Sequence, residues 1–186
     1  MENVTTRDNN SMSHQGQIFQ LLDSIHQLRD KRCDDWLLMS SIWPTLLLST
    51  SYYILVRQAG PWFMKNREPF DLRRVMMVYN LLQAVFNSWL FYSVFWLWRD
   101  HYSWTCQPVD YSESHLGRAA LDVTWWYFIS KFPDWIDSFF FVLRKKSDHL
   151  SSLHVIHHGG LPIAVWFGPK VLSRLLMVGS ILVLVI

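Results

Sequence analysis

Cysteine is scarce in this chain: Cys33 and Cys106 are the only two in 186 residues, which excludes zinc-type cysteine spacing and a dense disulfide framework. Charge of one sign is scarce as well. The formal net charge is +2, and the basic residues fall between apolar stretches instead of forming a patch, which excludes nucleic acid as a partner. Residues 1–17 hold no apolar run, so no cleavable signal peptide is expected and the first apolar segment serves as its own targeting signal. Internal repeats and low-complexity tracts are absent. What the chain does have is apolar and aromatic mass: 51% of its residues are hydrophobic and 11 are Trp, a composition that points to lipid as the solvent.

A bilayer span takes roughly 20 consecutive apolar residues. Windows 36–56 and 75–98 approach that length without a charge. Window 119–143 carries Asp122, Lys131, Asp134 and Asp137, and window 149–167 carries His149, His154, His157 and His158. The segment 175–186 is apolar but short for an ordinary span. The expected fold is therefore all-α, a polytopic membrane helix bundle of four spans plus a partial fifth apolar segment. Three regions follow: a segment 1–35, a transmembrane domain 36–170 and a divergent apolar tail 171–186. In the first, Ile18, Leu21, Leu22, Ile25 and Leu28 have the spacing of one helix face, a short amphipathic helix on the membrane surface or a frayed terminus.

Lys and Arg set the orientation. Arg57, Lys65, Arg67, Arg73 and Arg74 follow the first window, and Arg144, Lys145 and Lys146 the third, whereas the loop between Arg99 and Arg118 is poor in them. The N-terminus is then outside, where the sequons Asn3-Val4-Thr5 and Asn9-Asn10-Ser11 agree with it. Cys33 and Cys106 share that side, which permits a disulfide between them or two separate thiols. Pro44 and Pro133 are expected to bend their helices, and Gly159, Gly160 and Pro162 to interrupt the fourth.

His154, His157 and His158 stand at i, i+3 and i+4, so on a helix they project from one face. Ionisable groups inside a bilayer are costly and mark functional sites. Lys131, Asp134 and Ser138 share a face by the same spacing, with Asp137 turned partly away; a buried Lys131–Asp134 ion pair serves either packing or the orientation of a histidine. Asn80, Gln83 and Asn87 form an uncharged polar stripe suited equally to interhelical hydrogen bonding and to substrate contact. Arg144, Lys145 and Lys146 either anchor a helix end or dock an anionic headgroup such as the phosphates of coenzyme A.

These motifs resemble the very-long-chain fatty acid elongase (ELO) family. Lys131-Phe132-Pro133-Asp134-Trp135-Ile136-Asp137-Ser138-Phe139-Phe140-Phe141-Val142-Leu143-Arg144-Lys145-Lys146 is similar to the family pattern K-x-x-E-x-x-D-T-x-F-F-x-L-R-K-K, and His154 to His158 to its H-x-x-H-H box. Gly60-Pro61, Met64, Arg67, Pro69-Phe70, Tyr79-Asn80-Leu81-Leu82-Gln83 and Cys106-Gln107-Pro108-Val109-Asp110-Tyr111 resemble the segments flanking its second span. Asp134 stands for the usual Glu and Ser138 for the usual Thr, each keeping the functional group. Beyond Lys170 the pattern departs, and the chain looks truncated or alternatively spliced.

The resemblance implies a multi-pass enzyme of the endoplasmic reticulum membrane that condenses a long-chain acyl-CoA with malonyl-CoA, releasing CO2 and CoA and giving a 3-oxoacyl-CoA. It implies no bound cofactor and no metal, with both thioesters as substrates and the other enzymes of the elongation cycle, or further copies of the chain, as partners. By the same resemblance His157 is the nucleophile, His154 and His158 its orienting or acid-base partners, and Lys131 and Asp134 position the box or the thioester. Asn80, Gln83, Asp137, Arg144, Lys145 and Lys146 contact substrate, the last three at the cytoplasmic mouth. Two other readings compete. A di-iron desaturase also uses an H-x-x-H-H box, but needs several such clusters to ligate two metals. An inactive elongase-like membrane protein, associating with full-length partners, fits the departure after Lys170.

Overall fold

A computed structural model describes residues 30–101 and 114–170. The surface helix expected near residue 20, both sequons, Cys106 and the tail 171–186 lie outside the described residues. All regular structure among the described residues is helical. After a 3-10 turn at Lys31–Cys33 come α1 (Trp43–Ile54), a π-helical turn (Leu55–Ala59) that leads straight into α2 (Gly60–Met64), α3 (Arg73–His101), α4 (His115–Ser130), α5 (Trp135–Leu143) and, past a 3-10 turn at Ser147–His149, α6 (Ser152–Lys170). In space α3 packs on α4, α4 on α6 and α6 on α1, while α5 closes against α2 and α6.

No helix among the described residues is long and apolar enough to cross a membrane. The apolar windows do become helical, but the first and third are divided. In the first, residues 36–42 form turns because the packing claims their carbonyls: the Trp125 indole donates to the Leu37 carbonyl at 3.2 Å and the Trp166 indole to that of Leu38 at 2.9 Å. Leu38 takes φ 65°, a conformation uncommon outside glycine. Pro44 consequently sits in the first turn of α1 and starts the helix instead of bending it, since proline has no N–H to lose there. Pro133 does more than bend its window. Helix α4 stops at Ser130, a turn covers 131–134, and α5 starts afresh at Trp135. Helix α3, 29 residues and about 44 Å long at 1.5 Å per residue, has the length. Its uncharged stretch 75–98 also has Asn80, Gln83 and Asn87, which lower its hydropathy.

The fourth window corrects the expected interruption: α6 runs unbroken through Gly159, Gly160 and Pro162. Pro162 has no N–H for the carbonyl of His158, four residues back. The Trp135 indole supplies the missing donor, at 2.8 Å from that oxygen. Gly159 lies under the Tyr52 ring, which a Cβ would meet at 3.3 Å, so α1 and α6 approach closely there. Two apolar clusters hold the bundle. One gathers Tyr52, Val56, Met64, Trp135, Val142 and Val155, and the other Cys33, Met39, Phe128 and Trp166.

Candidate functional site

The break at Pro133 builds the centre of the site. It turns the chain so that Lys131 and Asp134 sit in the connection and Asp137 and Ser138 in the first turns of α5. The expected Lys131–Asp134 pair forms at 3.3 Å, and the Lys131 ammonium lies 4.5 Å from the centre of the Tyr127 ring. Two sides of this corner meet different helices.

Toward α3, Gln83 donates to Asp134 Oδ1 at 2.8 Å and to the Tyr79 hydroxyl at 3.3 Å. The Tyr79 hydroxyl lies 3.1 Å from the Pro133 carbonyl and 3.4 Å from Asp137 Oδ2. Asp134 thus uses one oxygen for Lys131 and the other for Gln83, so its carboxylate plane is set from its own turn and from α3. Toward α6, Ser138 Oγ lies 3.0 Å from His154 Nε2 and 2.8 Å from the Tyr52 hydroxyl.

The three imidazoles do not converge as fully as their spacing predicts. His154 and His158 face inward, half-buried, with ring centres 4.3 Å apart. His157 is exposed, 5.6 Å from His158 between ring centres. The reason is the width of the face: His154 points toward Ser138 and Phe141 on α5 with His158 beside it, whereas His157 at i+3 lies at the rim. His158 Nδ1 is buried without a hydrogen-bond partner. Among the described residues no group of three or more His, Cys, Asp or Glu is arranged to hold a metal ion.

Of the residues picked from sequence, the fold brings together Lys131, Asp134, Asp137, Gln83, His154 and His158. Asn80 is exposed and joins none of these hydrogen bonds. The basic run lies apart, at the far end of α5. Its Lys145 takes φ 54°. Bonds from Lys145 N to the Val142 carbonyl at 3.0 Å and from Lys146 N to that of Phe141 at 2.9 Å complete a Schellman stop. Arg144 points back along α3, with Nη1 3.2 Å from Met76 Sδ. Lys145 and Lys65 border a cleft of about 190 Å³ floored by Met64, Phe141, Val142 and Leu150.

The sequence reading left Tyr52, Tyr79, Trp135 and Ser138 without roles. Tyr79 stands four residues before Gln83, a spacing that flags it, and Ser138 shares the Lys131 face by its spacing. Tyr52 offered no signal beyond a hydroxyl in an apolar stretch.

Comparison with known proteins agrees with the motif reading. The sequence model described as ELO, the GNS1/SUR4 family, matches residues 37–185, a match that continues past Lys170. The chain is 48% identical over 160 residues to a very long chain fatty acid elongase of Aedes aegypti, covering 82% of this chain and 44% of that protein. It is 46% identical to very long chain fatty acid elongase 7 of Drosophila melanogaster, covering 80% and 45%, and 43% identical to human very long chain fatty acid elongase 4, covering 77% and 46%. The chain thus spans a little under half the length of the curated relatives it matches.

Proposed function

The chain belongs to the ELO (GNS1/SUR4) family, and from that membership we propose that it condenses a long-chain acyl-CoA with malonyl-CoA, as a very-long-chain 3-oxoacyl-CoA synthase. The observation that carries the proposal is the corner at 131–138, whose Lys131, Asp134 and Asp137 are tied to Gln83 and Tyr79 on one side while Ser138 reaches His154 on the other.

In this mechanism the neutral imidazole of His157 attacks the acyl-CoA thioester carbonyl. The carbon–nitrogen bond forms as the carbon–sulfur bond breaks, CoA leaves as the thiol, and the acyl group is held on the ring. Malonyl-CoA then loses CO2 to leave an enolate, which attacks the held acyl carbon. The new carbon–carbon bond expels the ring nitrogen, which takes a proton from solvent through the acid-base partners to regenerate neutral imidazole, and yields the 3-oxoacyl-CoA. Exposure of His157 supports this choice, because a nucleophile needs an open approach. His154 and His158 serve as orienting or acid-base partners, and Lys131 stabilises negative charge that develops on the thioester oxygen. Gln83 and Asp137, with Asn80 a turn away, contact substrate, and Arg144, Lys145 and Lys146 receive the CoA phosphates. The reaction needs no bound cofactor or metal, both CoA thioesters being substrates. The other enzymes of the elongation cycle, and further copies of the chain, are the protein partners; nucleic acid is not one.

We place the protein in the endoplasmic reticulum membrane as a multi-pass chain. Large apolar side chains on the outside of the helices support that placement: Trp43, Leu47, Trp62, Leu81, Leu82, Leu153 and Ile156 are each more than 60% exposed.

Purified protein in detergent or liposomes, given labelled malonyl-CoA and an acyl-CoA, tests the assignment. His157→Ala is expected to reduce condensation to background while the protein stays membrane-inserted. Condensation retained by that variant overturns the nucleophile. If the unsubstituted chain also gives no product in a host without other elongases, yet remains inserted, the inactive, partner-associating reading takes its place.

A further inference from the structure

Tyr52 is 1% exposed, so its hydroxyl must find its hydrogen bond inside the protein. It finds it across two helix packings. Tyr52 on α1 meets Ser138 on α5 at 2.8 Å, and Ser138, 0% exposed, meets His154 Nε2 on α6 at 3.0 Å. A helix 86 residues upstream is joined to two successive helices by one hydrogen-bonded path that ends on a ring nitrogen.

The path has three internally consistent directions. If Tyr52 and His154 Nε2–H both donate to Ser138, the buried Ser138 O–H is left without an acceptor among the described residues. If His154 Nε2–H donates to Ser138, Ser138 donates to Tyr52, and the buried phenol O–H is left without an acceptor among the described residues. If Tyr52 donates to Ser138 and Ser138 donates to His154, each hydroxyl donates once along the path. Only this last arrangement avoids leaving a buried donor unmade, which costs about 1–3 kcal/mol.

We infer that Tyr52 and Ser138 are positioning residues that hold the neutral His154 imidazole as the Nδ1–H tautomer, with Nε2 accepting from Ser138. The tautomer of a histidine is set by the hydrogen bond that one of its nitrogens makes. The consequence for the site is that Nε2 of His154 is committed to the scaffold and Nδ1–H is the ring's donor. As a matter of turnover the inference rests on the condensation reading above; as a matter of tautomer it does not.

The test is nitrogen-15 NMR of the histidine-labelled chain in detergent micelles, at a pH where the rings are neutral, with His154 assigned by the signal lost in His154→Gln. Expected is a His154 whose Nε2 resonates as a pyridine-type and whose Nδ1 as a pyrrole-type nitrogen. Ser138→Ala and Tyr52→Phe should shift both signals toward a tautomer mixture, and Ser138→Thr should restore them. An Nε2–H tautomer in the unsubstituted protein overturns the inference, and so does a pattern unmoved by Ser138→Ala. The unsubstituted spectrum decides the matter even if a variant does not fold. An Nδ1–H His154 in a chain that performs no condensation keeps this inference and removes the proposed function; a condensing chain with the other tautomer does the reverse.

Discussion

Trp135 shows how one side chain can decide whether a helix continues. Its indole occupies the carbonyl that Pro162 leaves without a donor, and its ring stacks on Tyr52 with centres 4.8 Å apart. Trp135→Phe keeps an aromatic ring for that stack and removes the donor. We expect a loss of about 1–3 kcal/mol, the cost of an unsatisfied buried carbonyl, read as a lower midpoint in denaturant-induced unfolding of the solubilised chain. An unchanged midpoint would mean that the freed oxygen of His158 finds another donor. The same residue scale explains why the Asp134 carboxylate suits positioning: Lys131 and Gln83 take separate oxygens, so neither can be lost without freeing the group to rotate.

Close helix approach is where glycine matters among the elements. A Cβ on Gly60, at the junction of the π-helical turn with α2, would lie 2.7 Å from Val142 Cγ1 on α5 and 2.7 Å from the Leu55 carbonyl oxygen. Gly160, on the outer side of α6, has nothing within 4 Å of the same atom. Opposite outcomes are expected from the same substitution. Gly60→Ala should destabilise by about 1–3 kcal/mol through overpacking, whereas Gly160→Ala should stabilise by about 0.5–1 kcal/mol, because alanine loses less chain entropy in a helix. Unfolding midpoints of the two variants measured side by side check the pair, and equal shifts of the same sign would refute it.

For the whole molecule, the surface is the informative feature. Apolar residues face outward on α1, α2, α3 and α6 alike, with Trp62 and Leu153 each 78% exposed, while the hydrogen-bonded groups of Asp134, Ser138 and His154 lie between helices. Such an exterior suits lipid or further protein and not water. The chain expressed in cells should therefore remain in the membrane fraction after alkaline carbonate extraction. Recovery in the supernatant would sink the membrane placement.

The sequence by itself determined the helical class, the family and the kinds of group at the site, because the spacing of His154, His157 and His158 and of Lys131 and Asp134 is local information that a helix or turn converts directly into proximity. Spacing also predicted Gln83 as part of a polar stripe, but not that it would reach Asp134 while Asn80 stays outside. Helix ends were read less well: Pro44 begins a helix, Pro133 ends one and Pro162 is absorbed, and the difference lies in which distant indole or carbonyl is at hand. Only the tertiary structure decided that Tyr52 meets Ser138, that Tyr79 meets Asp137, and that His154 and His158 turn inward while His157 turns out. Periodicity states which residues share a face of one helix; the rotation and approach of neighbouring helices, set by packing at places such as Gly60 and Gly159, decide which faces meet.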